Sequence, residues 1–408
     1  MKKNLTLITV LVVCLFALTL MPALANQQDF NTTSRSDNAG KFVLMGKDAI
    51  PERYIVVLDM DAAGKYGDLF ATARMSSDLA GAYGGEADNV YAFAINGFSV
   101  RMSEAQARKL SEDPRVKFVE EDSVVWADAT QTNPPWGLDR TGQRDLPLNQ
   151  TYSYTTTGSG VNVYIIDTGI RRTHTQFGGR AFVGFDSVGD GQNTNDCNGH
   201  GTHVSGTVGG STYGIAKAVR LFAVRVLNCS GSGTNSGVIA GVDWVTANHV
   251  SPAVANMSLG GGVSTALDTA VRNSISSGVT YAIAAGNSNT NASNSSPARV
   301  AEAITVGSST INDARSSFSN FGSVVDIFAP GSSILSSYNT SDTATATLSG
   351  TSMATPHVAG VAARFLQSNP SASPATVRNE IVNQATLNHL SGIPSGTANR
   401  LLFWSSSR

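Results

Sequence analysis

The chain has 408 residues, of which 41% are hydrophobic and 14% charged, and its formal net charge is −2. Such a length suggests two or three domains of roughly 100–200 residues each. The composition is that of a globular protein, and the near-neutral charge carries no signature of nucleic-acid binding. Forty glycines favour tight turns and close backbone approaches.

Met1 to Ala25 reads as an export signal and is set aside from the fold. Lys2 and Lys3 form a basic start, Leu5 to Leu20 an apolar run, and Ala23-Leu24-Ala25 a small-x-small cleavage site. A membrane anchor is the alternative, but the apolar run falls short of the ~20 residues a span needs. The expected protein is therefore secreted, without a membrane anchor. Cys14 leaves with the signal, and Cys197 and Cys229 remain. An even count in an exported chain favours a disulfide between them, against two free buried thiols. Residues 26–128 hold 11 Lys/Arg and 17 Asp/Glu, whereas 129–408 hold 15 and 13. An acidic segment ahead of a faintly basic one suggests that the halves meet, or else reflects a solubility bias.

Residues 26–50 are polar and read as loosely ordered. Strands are then expected at Arg53–Leu58, Asn89–Ala94, Gly97–Met102 and Arg115–Glu120, and helices at Lys65–Tyr83 and Ser103–Ser111. Asn96-Gly97 supplies a hairpin turn signal. Ser103 and Gln106 form a capping-box pair. This β-α-β-β-α-β order is that of a small split βαβ domain. Ala127–Pro135 reads as a polar linker, and the domain boundary is placed at 128/129. From Thr155 onward, apolar strands alternate with helices. Strands are expected at 161–166, 220–227, 253–259, 279–285, 303–306 and 324–328. Helices are expected at 200–209, 237–249 and 265–277, and from about Ser352 and Pro374. That texture argues for an α/β fold with a parallel sheet covered by helices on both faces. Its active site belongs at the carboxyl ends of the strands.

Three stretches carry chemistry. Gly350-Thr351-Ser352 delivers a hydroxyl to the mouth of a helix, where free N–H groups and the helix dipole favour an oxyanion. Pro356 is placed in the first turn, where its missing N–H costs little. Alone, Ser352 would read as a helix cap. Asp167 ends a buried strand; burial makes its carboxylate costly unless paired, though an Asx-turn residue looks similar. His200 and His203 lie at i, i+3 among glycines. As a zinc pair they lack the glutamate of H-E-x-x-H, since position 201 is Gly. His200 is the better general base and His203 a structural helix residue. Together Asp, His and Ser form a hydrolytic relay. The order Asp167, His200, Ser352 is the one subtilisins use, and the G-x-S-x-G elbow is absent.

These stretches resemble those of the subtilases, in particular the proteinase K and aqualysin branch. The resemblance spans 129–408 through Trp136–Arg140, Asp167-Thr168-Gly169, residues 199–206, 256–262, 284–287, 317–331 and 350–360. Residues 26–128 resemble the inhibitory, folding-assisting propeptide of that family. The resemblance implies that Asn287 joins the Ser352 N–H in binding the oxyanion. Ser258-Leu259-Gly260 would pair with an extended substrate and, with Ala284-Ala285-Gly286, line the first specificity pocket. Gly231-Ser232-Gly233 would form the other edge of the cleft. Small residues leave bare backbone that a peptide can join as an added strand, and an open pocket admits large apolar side chains. A monomeric endopeptidase acting on polypeptides is implied, one that releases itself from its own propeptide; the alternative of an inactive peptide-binding relic is disfavoured because all four chemical residues are present. Structural calcium is implied at Asp326 with the carbonyls of Ala301 and Ala303, and a second site at Asp139 with Gln143. Gly142 stands where the branch often has a carboxylate at that second site. Asn294 and Ser323 lie near the positions of the branch's second disulfide.

Overall fold

A computed structural model describes residues 41–46, 49–59, 67–123, 125 and 129–406. The export signal, the polar stretch as far as residue 40 and the 126–128 junction lie outside the described residues. The chain divides into two compact units, one ending at Val125 and one beginning at Trp126.

The first unit contains β1 (Phe42–Val43), β2 (Ala49–Leu58), α1 (Leu69–Ala82), β3 (Glu86–Tyr91), β4 (Gly97–Arg101), α2 (Glu104–Ser111) and β5 (Val116–Ser123). Its sheet order is β1-β5-β2-β4-β3, which gives the expected split βαβ arrangement one further strand. Phe42 lies in the stretch read as loose, yet its ring meets Tyr54 at 5.9 Å and its backbone runs parallel to Val119. One aromatic contact with the buried Tyr54 outweighs a polar neighbourhood. β3 begins three residues earlier than expected because half of it faces water and shows no apolar run. The Ser103/Gln106 capping box is present.

The second unit opens with β6 (Ala129–Thr132), α3 (Trp136–Gly142), β7 (Thr151–Tyr154), β8 (Asn162–Asp167), β9 (Ala181–Asp186), α4 (His200–Gly209) and β10 (Arg220–Arg225). It continues through α5 (Asn235–Asn248), β11 (Ala253–Met257), α6 (Thr265–Ser276), β12 (Thr280–Ala284), β13 (Ile304–Ser309) and β14 (Ile327–Pro330). It ends with β15 (Ile334–Ser337), β16 (Thr345–Leu348), α7 (Thr351–Ser368), α8 (Pro374–Gln384), β17 (Thr386–Leu387) and β18 (Arg400–Leu401). The expected linker is partly strand: β6 pairs antiparallel with β7.

Nine strands make the central sheet, in the order β17-β18-β14-β13-β12-β11-β8-β10-β9. All of its pairs are parallel except β17 with β18. Period-2 alternation with both faces covered explains why β8 is apolar from Val163 to Ile166. Val163 and Ile165 join Val204 and Val208 of α4 and Val358 and Val361 of α7 in one core. Tyr164 and Ile166 face the other way and join Val242 and Val245 of α5 and Leu267 and Val271 of α6. β8 lies between β10 and β11, where the strand order turns back, and such a switch point is where α/β sheets open a binding crevice. Among the described residues no helix is long and apolar enough to cross a membrane.

Candidate active site

Asp167 is the last residue of β8 and is fully buried. Its Oδ1 accepts the Thr168 N–H at 2.7 Å and lies 2.8 Å from His200 Nδ1. Since a carboxylate only accepts, that contact fixes the proton on Nδ1 and leaves Nε2 to take a proton from a nucleophile. Burial alone would push the His200 pKa down. The charge and hydrogen bond of Asp167, with Asp196 behind them, overcome that effect and raise it above the ordinary value. The close approach of the 167–169 turn to α4 requires glycine at position 201. A side-chain carbon there would fall 2.1 Å from the Gly169 carbonyl oxygen.

Asp196 had no place in the sequence reading. It is buried, and its Oδ1 accepts the Asn198 and Gly199 N–H groups and the Thr168 hydroxyl. Its Oδ2 accepts the Thr202 N–H at 2.8 Å and the Thr202 hydroxyl at 2.6 Å. It therefore supplies the negative charge at the amino end of α4, the helix that begins with His200. A carboxylate just ahead of a helix start was the available signal.

Ser352 is the second residue of α7. Its hydroxyl donates to the Ser258 carbonyl at 3.0 Å, and the Ser258 hydroxyl donates to the Ser352 carbonyl at 2.9 Å. The second bond corrects the reading of Pro356, which sits in the second helical turn rather than the first. Proline there cannot offer an N–H to the carbonyl four residues back, and the Ser258 hydroxyl satisfies that carbonyl instead.

Asn287 follows β12. Its Oδ1 accepts the Thr351 N–H at 2.8 Å and the Thr351 hydroxyl at 3.0 Å, which leaves its Nδ2 group as the free end. A side-chain carbon placed on Gly350 would stand 3.6 Å from Asn287 Nδ2 and 3.6 Å from Ser352 N. Two donors thus border one small space.

His200, Ser352 and Asn287 line a cleft of about 640 Å³ together with Gly231, Ser232, Gly233, Ser258, Leu259 and Gly260. An adjoining cavity of about 470 Å³ is walled by Gly260, Ala284, Ala285 and Gly286. Asn320 shapes its floor: Nδ2 donates to the Ala285 carbonyl, and Oδ1 accepts from the Ser288 and Thr290 N–H groups. Cys197 and Cys229 are joined by a disulfide (S–S 2.04 Å). Asn198 Nδ2 donates to the Cys229 carbonyl alongside it.

The metal-type groupings are less suited. His203 turns away from the cleft, its Nε2 on the Ile334 and Ala346 carbonyls, so it does not form a zinc pair with His200. Burial pushes its pKa down to about 4. Among the described residues the one grouping of three metal-type ligands is Asp190, Cys197 and Cys229, and the cysteines are bonded to each other. Asp326 Oδ1 and the Ala303 carbonyl, expected to hold calcium, each accept a hydrogen bond from the Arg378 guanidinium. Asp139 differs: Oδ2 accepts the Gln150 N–H, but Oδ1 is buried without a partner. Gln143 does not help there, since its amide bonds the Asn149 N–H and the Asp145 and Pro147 carbonyls.

Comparison with known proteins resolves which hydrolase this resembles. The subtilase family profile matches residues 158–400, and the peptidase inhibitor I9 profile matches residues 53–128. The chain belongs to the subtilase family. This subtilase is 48% identical over 373 residues to the extracellular serine proteinase of Thermus sp. (strain Rt41A), covering 88% of this chain and 91% of that one. It is 52% identical over 364 residues to alkaline serine exoprotease A of Vibrio alginolyticus (87% and 68% covered). Proteinase T of Parengyodontium album is 48% identical over 292 residues (70% and 98% covered). The crystal structure of a cold adapted subtilisin-like serine proteinase superposes with a TM-score of 0.65 at 56% identity, covering 67% of this subtilase and 98% of that chain. The chain is thus a subtilisin-like serine proteinase preceded by an inhibitor-type propeptide, and the zinc alternative falls away.

Proposed function

We propose that this subtilase is a secreted endopeptidase in which Ser352 attacks the scissile carbonyl, His200 carries the proton and Asp167 holds and charge-balances the imidazole. The 2.8 Å contact between His200 and Asp167, at a cleft shared with Ser352, carries this reading. In the reacting state the Ser352 hydroxyl leaves the Ser258 carbonyl for His200 Nε2. As the tetrahedral intermediate forms, negative charge grows on the carbonyl oxygen between Asn287 Nδ2 and the Ser352 N–H. Losing the Asn287 donor lowers turnover by roughly 10²–10³, the scale found for the equivalent asparagine in a subtilisin. The bond to the leaving amine breaks as His200 returns the proton. Water, activated by the same imidazole, then releases the acyl group.

Substrate backbone would join Ser258-Leu259-Gly260 on one side and Gly231-Ser232-Gly233 on the other. The small-walled cavity beside Ala285 and Gly286 suits an aromatic or aliphatic side chain before the cut. The propeptide at 26–128 acts as inhibitor and folding aid. Its Val125–Asp128 tail, mostly outside the described residues, is cleaved from Ala129 by the enzyme itself. Subtilases commonly bind calcium. The site we favour is Asp139, whose orphan Oδ1 a hard cation would satisfy.

A serine-directed phosphonyl reagent, followed by peptide mapping, tests the relay. It should abolish casein hydrolysis and label Ser352 alone. Ser352→Ala should accumulate unprocessed precursor. Normal maturation of that variant, or full activity after labelling, would remove Ser352 from the role.

A further inference from the structure

The geometry points to Arg378 as a built-in cation: its guanidinium occupies the place where this subtilase gathers a calcium-type ligand set, so that this corner of the fold holds without a metal. Asp326 precedes β14 and is only 8% exposed, and Ala303 immediately precedes β13. Asp326 Oδ2 accepts the Thr305 N–H at 2.9 Å. Asp326 Oδ1 accepts from Arg378 Nη2, and the Ala303 carbonyl accepts from Arg378 Nε at 3.2 Å. Both carboxylate oxygens and one of the two expected carbonyls are therefore already in use.

A calcium ion on these oxygens would need contacts of about 2.3–2.6 Å and six to eight ligands. It would then lie beside a guanidinium bonded to the same two groups, and two cations would share one partly desolvated corner. A planar fork reaching a carboxylate and a carbonyl at once is a task for arginine rather than lysine. Arg378 lies in the second turn of α8, so the contact also ties that helix to the starts of β13 and β14. Arg400 of β18 adds positive charge near Asp326. The pairing belongs to the scaffold and stands apart from the relay.

The test counts calcium ions by equilibrium dialysis and measures the thermal midpoint in calcium and in chelator. It uses the full chain carrying Ser352→Ala to prevent self-digestion. Arg378→Gln should bind about one ion more than the parent. It should melt several degrees lower in chelator and recover when calcium is restored. Adding Asp326→Asn should remove the extra ion. In the parent, Asp326→Asn alone should leave the calcium count unchanged. A count that falls by one with Asp326→Asn would show that a metal already uses that carboxylate. A folded Arg378→Gln chain that gains no ion would equally overturn the inference. If Arg378→Gln does not fold, the Asp326→Asn count still decides.

Discussion

Asp196 does not line the cleft and makes no hydrogen bond to Ser352, yet it adds to what holds the His200 pKa above its ordinary value. In the proposed relay His200 acts as a base only when neutral, so activity should be lost as pH falls through that raised pKa. Removing the Asp196 charge lowers it, and the acid limb of kcat/KM then moves to lower pH. Asp196→Asn should show that displacement. It should also lose about 1–3 kcal/mol of stability, because an amide cannot serve the donors that now share two carboxylate oxygens. A variant that is merely destabilised, with its acid limb unmoved, would refute a role in positioning and charging His200. The proposed relay could be read from the sequence because Asp167, His200 and Ser352 each sit in a short motif. Asp196 was not, since its five donors come from Thr168, Asn198, Gly199 and Thr202 and converge only after folding. The engagement of Asp326 by Arg378, 52 positions further on, was hidden for the same reason.

At the scale of elements, the start of α7 and the end of β11 are joined by reciprocal hydroxyl–carbonyl bonds between Ser258 and Ser352. Asn256 Nδ2 donates to the Ser258 hydroxyl and fixes its direction. Because Pro356 leaves the Ser352 carbonyl without its helical donor, Ser258→Ala should orphan that carbonyl and cost on the order of 1–2 kcal/mol. Pro356→Ala supplies an N–H four residues on, so in that background the same change should cost less than half as much. Chemical denaturation of the four chains measures the coupling; equal costs in both backgrounds would show that the two residues act independently. Strands buried on both faces, β8 above all, were plain as unbroken apolar runs. β6 and β9 were not, and β3 was placed three residues late, because edge and half-exposed strands are fixed by backbone pairing that no local pattern reports. The β15–β16 hairpin was missed likewise, although its Ile334 and Ala346 carbonyls hold His203.

Across the second unit, buried positive charge is carried by arginine. Lys217 is its single lysine, whereas Arg140, Arg225 and Arg364 are all fully buried. Arg140 forks onto both oxygens of Asp313, and Arg225 onto both oxygens of Asp190. Such planar, multidentate pairing recovers much of the desolvation cost that a point charge would leave. Arg225 Nη2 also approaches Cys197 Sγ at 3.4 Å, so the ion pair and the disulfide brace one region. That region joins the loop entering His200 to the loop that carries Gly231, Ser232 and Gly233. Opening the bridge, which closes a 32-residue separation, should cost roughly 2–4 kcal/mol through the added freedom of the unfolded chain. It should also loosen one wall of the cleft while Asp167 stays on β8 and Ser352 on α7, both anchored elsewhere. A Cys197→Ser/Cys229→Ser enzyme assayed well below its melting temperature should therefore show a several-fold rise in KM on long peptides with kcat little changed. Small ester substrates, too short on the proposed reading to reach the 231–233 edge, should be turned over as in the parent. A fall in kcat on both substrate classes would mean instead that the bridge positions His200.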